Sequence, residues 1–178
     1  MVAATADALE RARRVRLMLF DVDGVLTDGR LWFGAQGEAL KCFDARDGHG
    51  LKMLMEAGIE VALLSGRDSA AVAARAAELG IAHVLQGVAD KRAAFERLLA
   101  QRALAPAAAG FMGDEVVDLP VLVRCGFACA PGDAPAFVRR HVHYVCEARA
   151  GAGAAREACE YVLRAQDRLE SLLARYLR

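Results

Sequence analysis

Aromatic side chains are scarce in this sequence, at 6 % of residues with a single Trp, although 56 % of the residues are hydrophobic. The core therefore has to be aliphatic and Ala-rich. An excess of either charge is also lacking: 23 Lys and Arg face 23 Asp and Glu. That balance excludes the global basic field that gathers nucleic acid. The local clusters Arg11, Arg13, Arg14, Arg16 and Arg139, Arg140 read first as solvated helix faces, and second as an anion-binding rim. No apolar run reaches the ~18 residues of a membrane span. The N-terminus has no uninterrupted apolar segment of the signal-peptide kind, so a cytoplasmic protein is expected. Paired cysteine spacings are missing too. Cys42, Cys125, Cys129, Cys146 and Cys159 are odd in number and scattered, which fits reduced, mostly buried thiols. Cys125-x3-Cys129 followed by His141, His143 and Cys146 does not make a zinc site, because Cys125 and Cys129 flank an apolar run that reads as a strand. Repeats, low-complexity linkers and domain boundaries are absent, so residues 1–178 are expected to form one domain.

What is present is an alternation of short apolar runs with helix-forming segments. Leu17–Phe20, Ile59–Leu64, His83–Leu85, Ala108–Met112, Gly126–Ala130 and Val142–Val145 read as strands. Helices are expected over 5–14, from Asp47 to about Glu56, up to Leu79, over 91–102 with Asp90 as N-cap, over 116–123, and as one long amphipathic helix over about 154–176. Strands alternating with such helices predict an α/β fold with a doubly wound parallel sheet in three layers. One element interrupts the alternation. Leu31-Trp-Phe and Glu38 to Phe43 flank Gly34-Ala-Gln-Gly37, which predicts a β-hairpin inserted over about residues 30–44. Its apolar side chains need a partner, either the body of its own domain or another subunit.

The chemistry collects at strand ends. Leu17–Phe20 stops at Asp21 and Asp23, two carboxylates that repel unless a cation lies between them; their all-oxygen donor set suits Mg²⁺. Gly24 permits a sharp turn there. An Asp-rich turn has the same composition, so the pair alone decides nothing. The second strand ends at Ser65-Gly66-Arg67, Lys91 opens the helix after the third, and the fourth ends at Gly113-Asp114, with Asp118 one turn later. Ligands bind at the carboxyl ends of strands in such sheets, so these residues converge. Together they are the parts of a phosphoryl-transfer site. Asp21 can act as nucleophile, Asp23 as acid and base, Asp21 and Asp114 as metal ligands, and Ser65 and Lys91 as holders of phosphoryl oxygens.

Asp21-Val-Asp-Gly-Val-Leu-Thr27, the Ser-Gly strand end, the downstream Lys and Gly-Asp-x3-Asp resemble, in this order, the four motifs of the haloacid dehalogenase (HAD) superfamily of phosphatases. Asp28–Gly34, Arg46-Asp-Gly-His-Gly-Leu-Lys52, Ser65-Gly-Arg67 and Gln86-Gly87 with Lys91 are similar to the 3-deoxy-D-manno-octulosonate 8-phosphate phosphatase family, over roughly residues 16–165. The resemblance implies a capless, Rossmann-like phosphatase using Mg²⁺ and an aspartyl-phosphate, in the pathway to the inner sugar of lipopolysaccharide. It implies a homotetramer built through the hairpin, with a neighbouring subunit helping to close each site. It also implies that Asp21, the Asp23 carbonyl and Asp114 bind the metal, and that Asp118 supports Lys91 or the metal. Substrate binding falls to Ser65, Gly66 and Arg67, with Arg75 reaching across an interface and Arg46 and His49 on the rim. Two departures stand out: Glu115 follows Gly113-Asp114 where relatives commonly have Asp, and Ala150-Gly-Ala152-Gly-Ala-Ala-Arg-Glu157 lacks a glycine and a basic residue. The competing readings are the same chemistry on a nine-carbon ulosonate 9-phosphate, a catalytically silent binding or assembly module, and a receiver-like domain; the adjacent Asp pair and the hairpin argue against the last.

Overall fold

The computed structural model describes residues 6–177. The chain runs α1 (Ala6–Arg13), β1 (Leu17–Phe20), β2 (Trp32–Gly34), β3 (Gly37–Leu40), α2 (Ala45–Glu56), β4 (Glu60–Leu64), α3 (Ala70–Leu79), β5 (His83–Leu85) and α4 (Lys91–Gln101). It continues with β6 (Ala109–Met112), α5 (Leu119–Leu122), β7 (Phe127–Ala130), α6 (Ala136–Arg139), β8 (Tyr144–Val145), α7 (Ala154–Ala165) and α8 (Leu169–Leu173). Six strands form one parallel sheet in the order β5-β4-β1-β6-β7-β8, while β2 and β3 pair separately as an antiparallel hairpin.

Period-two alternation along buried strands builds the two outer layers. Met18 and Phe20 of β1, with Val61 and Leu63 of β4, face a core formed with α1, α2, α3, α7 and α8. Leu17 and Leu19, with Ala62 and Leu64, face the opposite core against α4, α5 and α6. The predicted three-layer doubly wound sheet is therefore observed. The chain order reverses at β1, whose neighbours are β4 and β6, so a crevice opens at the carboxyl ends of β1 and β6.

Close packing at β7 leaves no room for a methyl group at Gly126, whose N–H donates to Pro106 O at 2.8 Å and Ala109 O at 2.9 Å; an added Cβ would overlap the Ala107 backbone. Gly126→Ala is expected to cost about 2 kcal/mol in chemical denaturation, because backbone cannot move aside as a flexible side chain can. A change within a few tenths of a kcal/mol would contradict this.

Two local expectations are corrected. The helix expected over 154–176 is broken into α7, α8 and a 3₁₀ turn at Ala174–Leu177. Asp167 adopts φ 56°, and the Arg168 N–H closes back on Leu163 O at 2.9 Å, which is a helix stop that Asp tolerates. The break returns Leu169 and Leu172 to the core. The segment expected as one helix over 116–123 is a 3₁₀ turn at Val116–Asp118 followed by α5. The helix expected over 5–14 is Ala6–Arg13, and residue 5 lies outside the described residues. No helix among the described residues is long and apolar enough to cross a membrane.

Candidate active site

The Asp21 N–H donates to Met112 O at 2.9 Å, which carries the β1–β6 pairing one residue past the strand and fixes Asp21 at the sheet edge. The chain then turns tightly, with the Val25, Leu26 and Thr27 amides all donating to Val22 O. Gly24 sits in that turn at φ +84°, with the Asp114 carboxylate pressed against its Cα where any Cβ would lie. Glycine is required at that position both for the conformation and for the close approach.

Asp21 is buried, and both its oxygens accept hydrogen bonds. Oδ1 takes the Val22 N–H at 2.7 Å, and Oδ2 is 2.9 Å from the Lys91 ammonium. Lys91, first residue of α4 after the Asp90 cap, also meets Asp118 Oδ1 at 2.5 Å. Asp118 is fully buried, and its Oδ2 accepts the Asp114 N–H at 3.0 Å and the Glu115 N–H at 3.2 Å. This one carboxylate therefore orients both Lys91 and the strand end that carries Asp114. Ser65 is buried at the end of β4, and the Arg67 N–H donates to its Oγ at 3.2 Å.

The carboxylates of Asp21, Asp114 and Asp118 lie close enough for one ligand atom from each to fall within 4.8 Å of the others. Among the described residues, the three carboxylates when ionised and the Lys91 ammonium leave two negative charges uncompensated. Asp114 Oδ1 is buried without a hydrogen-bond partner. Burial, reinforced by the Asp21 and Asp118 charges, pushes the Asp114 carboxyl up to about 8. Burial and Asp118 push Asp21 up to about 6 against the pull of Lys91. Burial also opposes the charged form of Lys91, but its two carboxylate partners outweigh it and hold the ammonium above its ordinary range. An oxygen-rich cluster short of two positive charges, with an orphan oxygen, fits Mg²⁺.

The sign of the resulting pH dependence is definite. Both carboxyls titrate above their unfolded values, so the metal-free native state binds more protons than the unfolded chain between about pH 4 and 8. Their contribution to stability is present at low pH and is lost as pH rises through about 6 and 8. His143, held low chiefly by burial, acts in the opposite direction, so the informative quantity is the difference with and without metal at each pH. The rise in Tm on replacing chelator with Mg²⁺ is expected to be larger at pH 8 than at pH 5.5. An equal or smaller rise at pH 8 would contradict the cluster's role.

Asp21, Asp23, Gly24, Ser65, Gly66, Arg67, Lys91, Asp114 and Glu115 line one cleft of about 270 Å³. The structure thus brings together the residues expected as nucleophile, acid, metal ligands and phosphate holders, with Asp118 buried beside them. Glu115 is exposed and caps the following turn through the Val116 N–H at 2.6 Å; it is not part of the acidic cluster. Three expected residues do not reach this cleft within the chain. Arg75 pairs with Glu78 at 2.9 Å and lies over Phe43, Arg46 pairs with Asp44 at 2.7 Å and donates to Ala152 O at 3.2 Å, and His49 packs edge-on against Tyr176. Sequence reasoning missed Lys41. β3 stops at Leu40, and Lys41 turns inward to pair with Asp23 and with Glu38. Nothing in its apolar surroundings Leu40 and Cys42 marks it out.

No protein-family model matches the chain. Among curated relatives, the 3-deoxy-D-manno-octulosonate 8-phosphate phosphatase KdsC of Yersinia pestis is 42 % identical over 92 % of this chain and 88 % of its own length. The structure of a hydrolase from Legionella pneumophila assigned to HAD superfamily subfamily III A superposes with a TM-score of 0.91 at 37 % identity, covering 96 % of this chain and 94 % of that one. The 3-deoxy-D-manno-octulosonate 8-phosphate phosphatase of Moraxella catarrhalis, solved with magnesium, phosphate and KDO, superposes with a TM-score of 0.93 at 34 % identity over 96 % of this chain and 98 % of that one. The chain belongs to the 3-deoxy-D-manno-octulosonate 8-phosphate phosphatase family of the HAD superfamily.

Proposed function

We propose that this chain is a Mg²⁺-dependent phosphomonoesterase that releases phosphate from 3-deoxy-D-manno-octulosonate 8-phosphate, in lipopolysaccharide biosynthesis in the cytoplasm. The observation that carries the chemistry is the Asp21–Lys91–Asp118–Asp114 cluster, buried except for a half-buried Asp114 at the carboxyl end of β1 and, with its carboxyls ionised, two positive charges short of neutrality. Asp21 attacks phosphorus to form an aspartyl-phosphate as the bond to the sugar oxygen breaks. The electron pair leaves with that oxygen, which takes a proton from Asp23. Water then attacks phosphorus, gives its proton to Asp23, and frees phosphate and Asp21. Ser65 and Lys91 hold the phosphoryl oxygens as their charge redistributes. Asp21, the Asp23 carbonyl and Asp114 would hold Mg²⁺, which would supply the charge that lets an anionic nucleophile meet an anionic phosphate.

Arg67, half exposed at the cleft, suits the carboxylate or hydroxyls of a sugar acid. Leu31, Trp32, Phe33 and Leu40 of the hairpin are exposed, a patch that supports a homotetramer in which Arg75 acts at a neighbour's site, with Arg46 and His49 on the rim. The test is phosphate release with Mg²⁺ from the eight-carbon substrate, a nine-carbon ulosonate 9-phosphate and a generic sugar phosphate. A kcat/KM at least about 10-fold higher for the eight-carbon acid supports the proposal. Preference for the nine-carbon acid overturns the substrate, and release from none with the assembly intact favours the silent module.

A further inference from the structure

Burying an ammonium is costly unless it is paired, so a buried lysine at the root of an inserted hairpin needs a reason. The Lys41 side chain is 1 % exposed. Its Nζ donates to Asp23 Oδ1 and lies 3.0 Å from Glu38 Oε2. Glu38 in turn accepts from the hydroxyl of Ser69, the residue that caps α3, and the Ser69 N–H donates to Gln86 Oε1 at 3.0 Å. A continuous chain of polar contacts therefore ties the hairpin root to the start of α3 and the residue after β5. The two oxygens of Asp23 end up in different environments. Oδ1 is occupied by Lys41, whereas Oδ2 is buried with no hydrogen-bond partner, and Arg67 Nε lies 3.8 Å from it.

We propose that Lys41 is a positioning residue: by occupying Oδ1 it reserves Asp23 Oδ2 as the atom that exchanges the proton with the leaving sugar oxygen. The inference rests on the reading above that Asp23 is the acid. In the step, the proton leaves Oδ2 for the sugar oxygen as the P–O bond breaks, and Oδ1 stays on Lys41. Attacking water then returns a proton to Oδ2 as the phosphorus–Asp21 bond breaks. Without Lys41 the carboxyl can rotate, and the proton is shared between two oxygens that nothing distinguishes. Glu38 and Ser69 extend the device, because they place Lys41 only when the hairpin is seated.

The test uses two substrates with Mg²⁺. The sugar phosphate leaves as a poor alkoxide that needs a proton, whereas an activated donor, p-nitrophenyl phosphate or acetyl phosphate, whichever the wild type hydrolyses, does not. Lys41→Met keeps the length and removes the donor. In single-turnover mixing, its rate of leaving-group release from the sugar phosphate should fall about 100-fold with KM within about 2-fold, while leaving-group release from the activated donor stays within about 3-fold; the hydrolysis step that follows uses Asp23 with either substrate. Lys41→Arg should recover part of the loss. Ser69→Ala, which leaves Lys41 in place but loosens its anchor, should give a smaller loss with the same selectivity, and it carries the test if Lys41→Met does not fold. Equal losses on both substrates, or a rise in KM alone, overturn the positioning role. Asp23→Asn separates the two readings. If its loss in leaving-group release is not confined to the sugar phosphate, the assignment of Asp23 as acid fails; if it is so confined while Lys41→Met and Ser69→Ala behave as wild type, only the role of Lys41 fails.

Discussion

Asp21→Asn is expected to lower phosphate release by at least about 10³-fold while leaving the fold intact. The substitution is nearly isosteric but removes the attacking anion. It also mismatches the local hydrogen bonds, because both oxygens of Asp21 face donors, the Val22 N–H on one side and the Lys91 ammonium on the other, and an amide nitrogen can satisfy neither. The cluster's uncompensated charge drops from two to one, so the rise in Tm with Mg²⁺ should shrink as well. Loss of turnover together with a smaller metal response identifies a residue that serves as both nucleophile and ligand. Retention of more than about a tenth of the activity would remove Asp21 from the chemistry.

Lys91→Met is expected to be the most destabilising change at the site. Lys91 bridges Asp21 and Asp118, and its removal leaves three neighbouring carboxylates with no ammonium or guanidinium paired to them among the described residues. Breaking a buried ion pair from one side costs about 3–5 kcal/mol, and that is the loss expected in chelator at pH 8. Mg²⁺ should restore part of it. Lowering the pH to 5.5 should also restore part, because Asp21 and Asp114, which titrate at about 6 and about 8, then take up protons. Turnover should fall by about 10²–10³-fold even where stability is restored, since the phosphoryl oxygens lose a partner. A variant as stable as wild type in chelator at pH 8 would contradict this electrostatic account.

The elements that hold the site were legible because their signals are local. Leu17–Phe20 is an unbroken apolar run that stops at two carboxylates, and such a run is buried on both faces only within a covered parallel sheet. Asp21, Ser65, Lys91 and Asp114 each stand at the end of a strand or the start of a helix, so topology alone brings them to one edge. Asp118 was expected to support either Lys91 or the metal. It reaches Lys91 with one oxygen and the Asp114 and Glu115 amides with the other, a double use that composition cannot reveal. Lys41 was invisible for a related reason: its partners Asp23 and Glu38 come together only once the hairpin folds back over the strand ends. The stop at Asp167 was hidden because the apolar pattern continues through it, and the left-handed residue that turns the chain carries no periodic signal.

The most direct test of the central claim, that Asp21 carries the phosphoryl group, is a rapid acid quench during turnover with Mg²⁺, followed by mass analysis of the peptide containing Asp21. The predicted result is a phosphoryl-group mass increase on that peptide in the wild type and its absence from Asp21→Asn. Rapid phosphate release with no such increase at any quench time, together with an active Asp21→Asn, would contradict it.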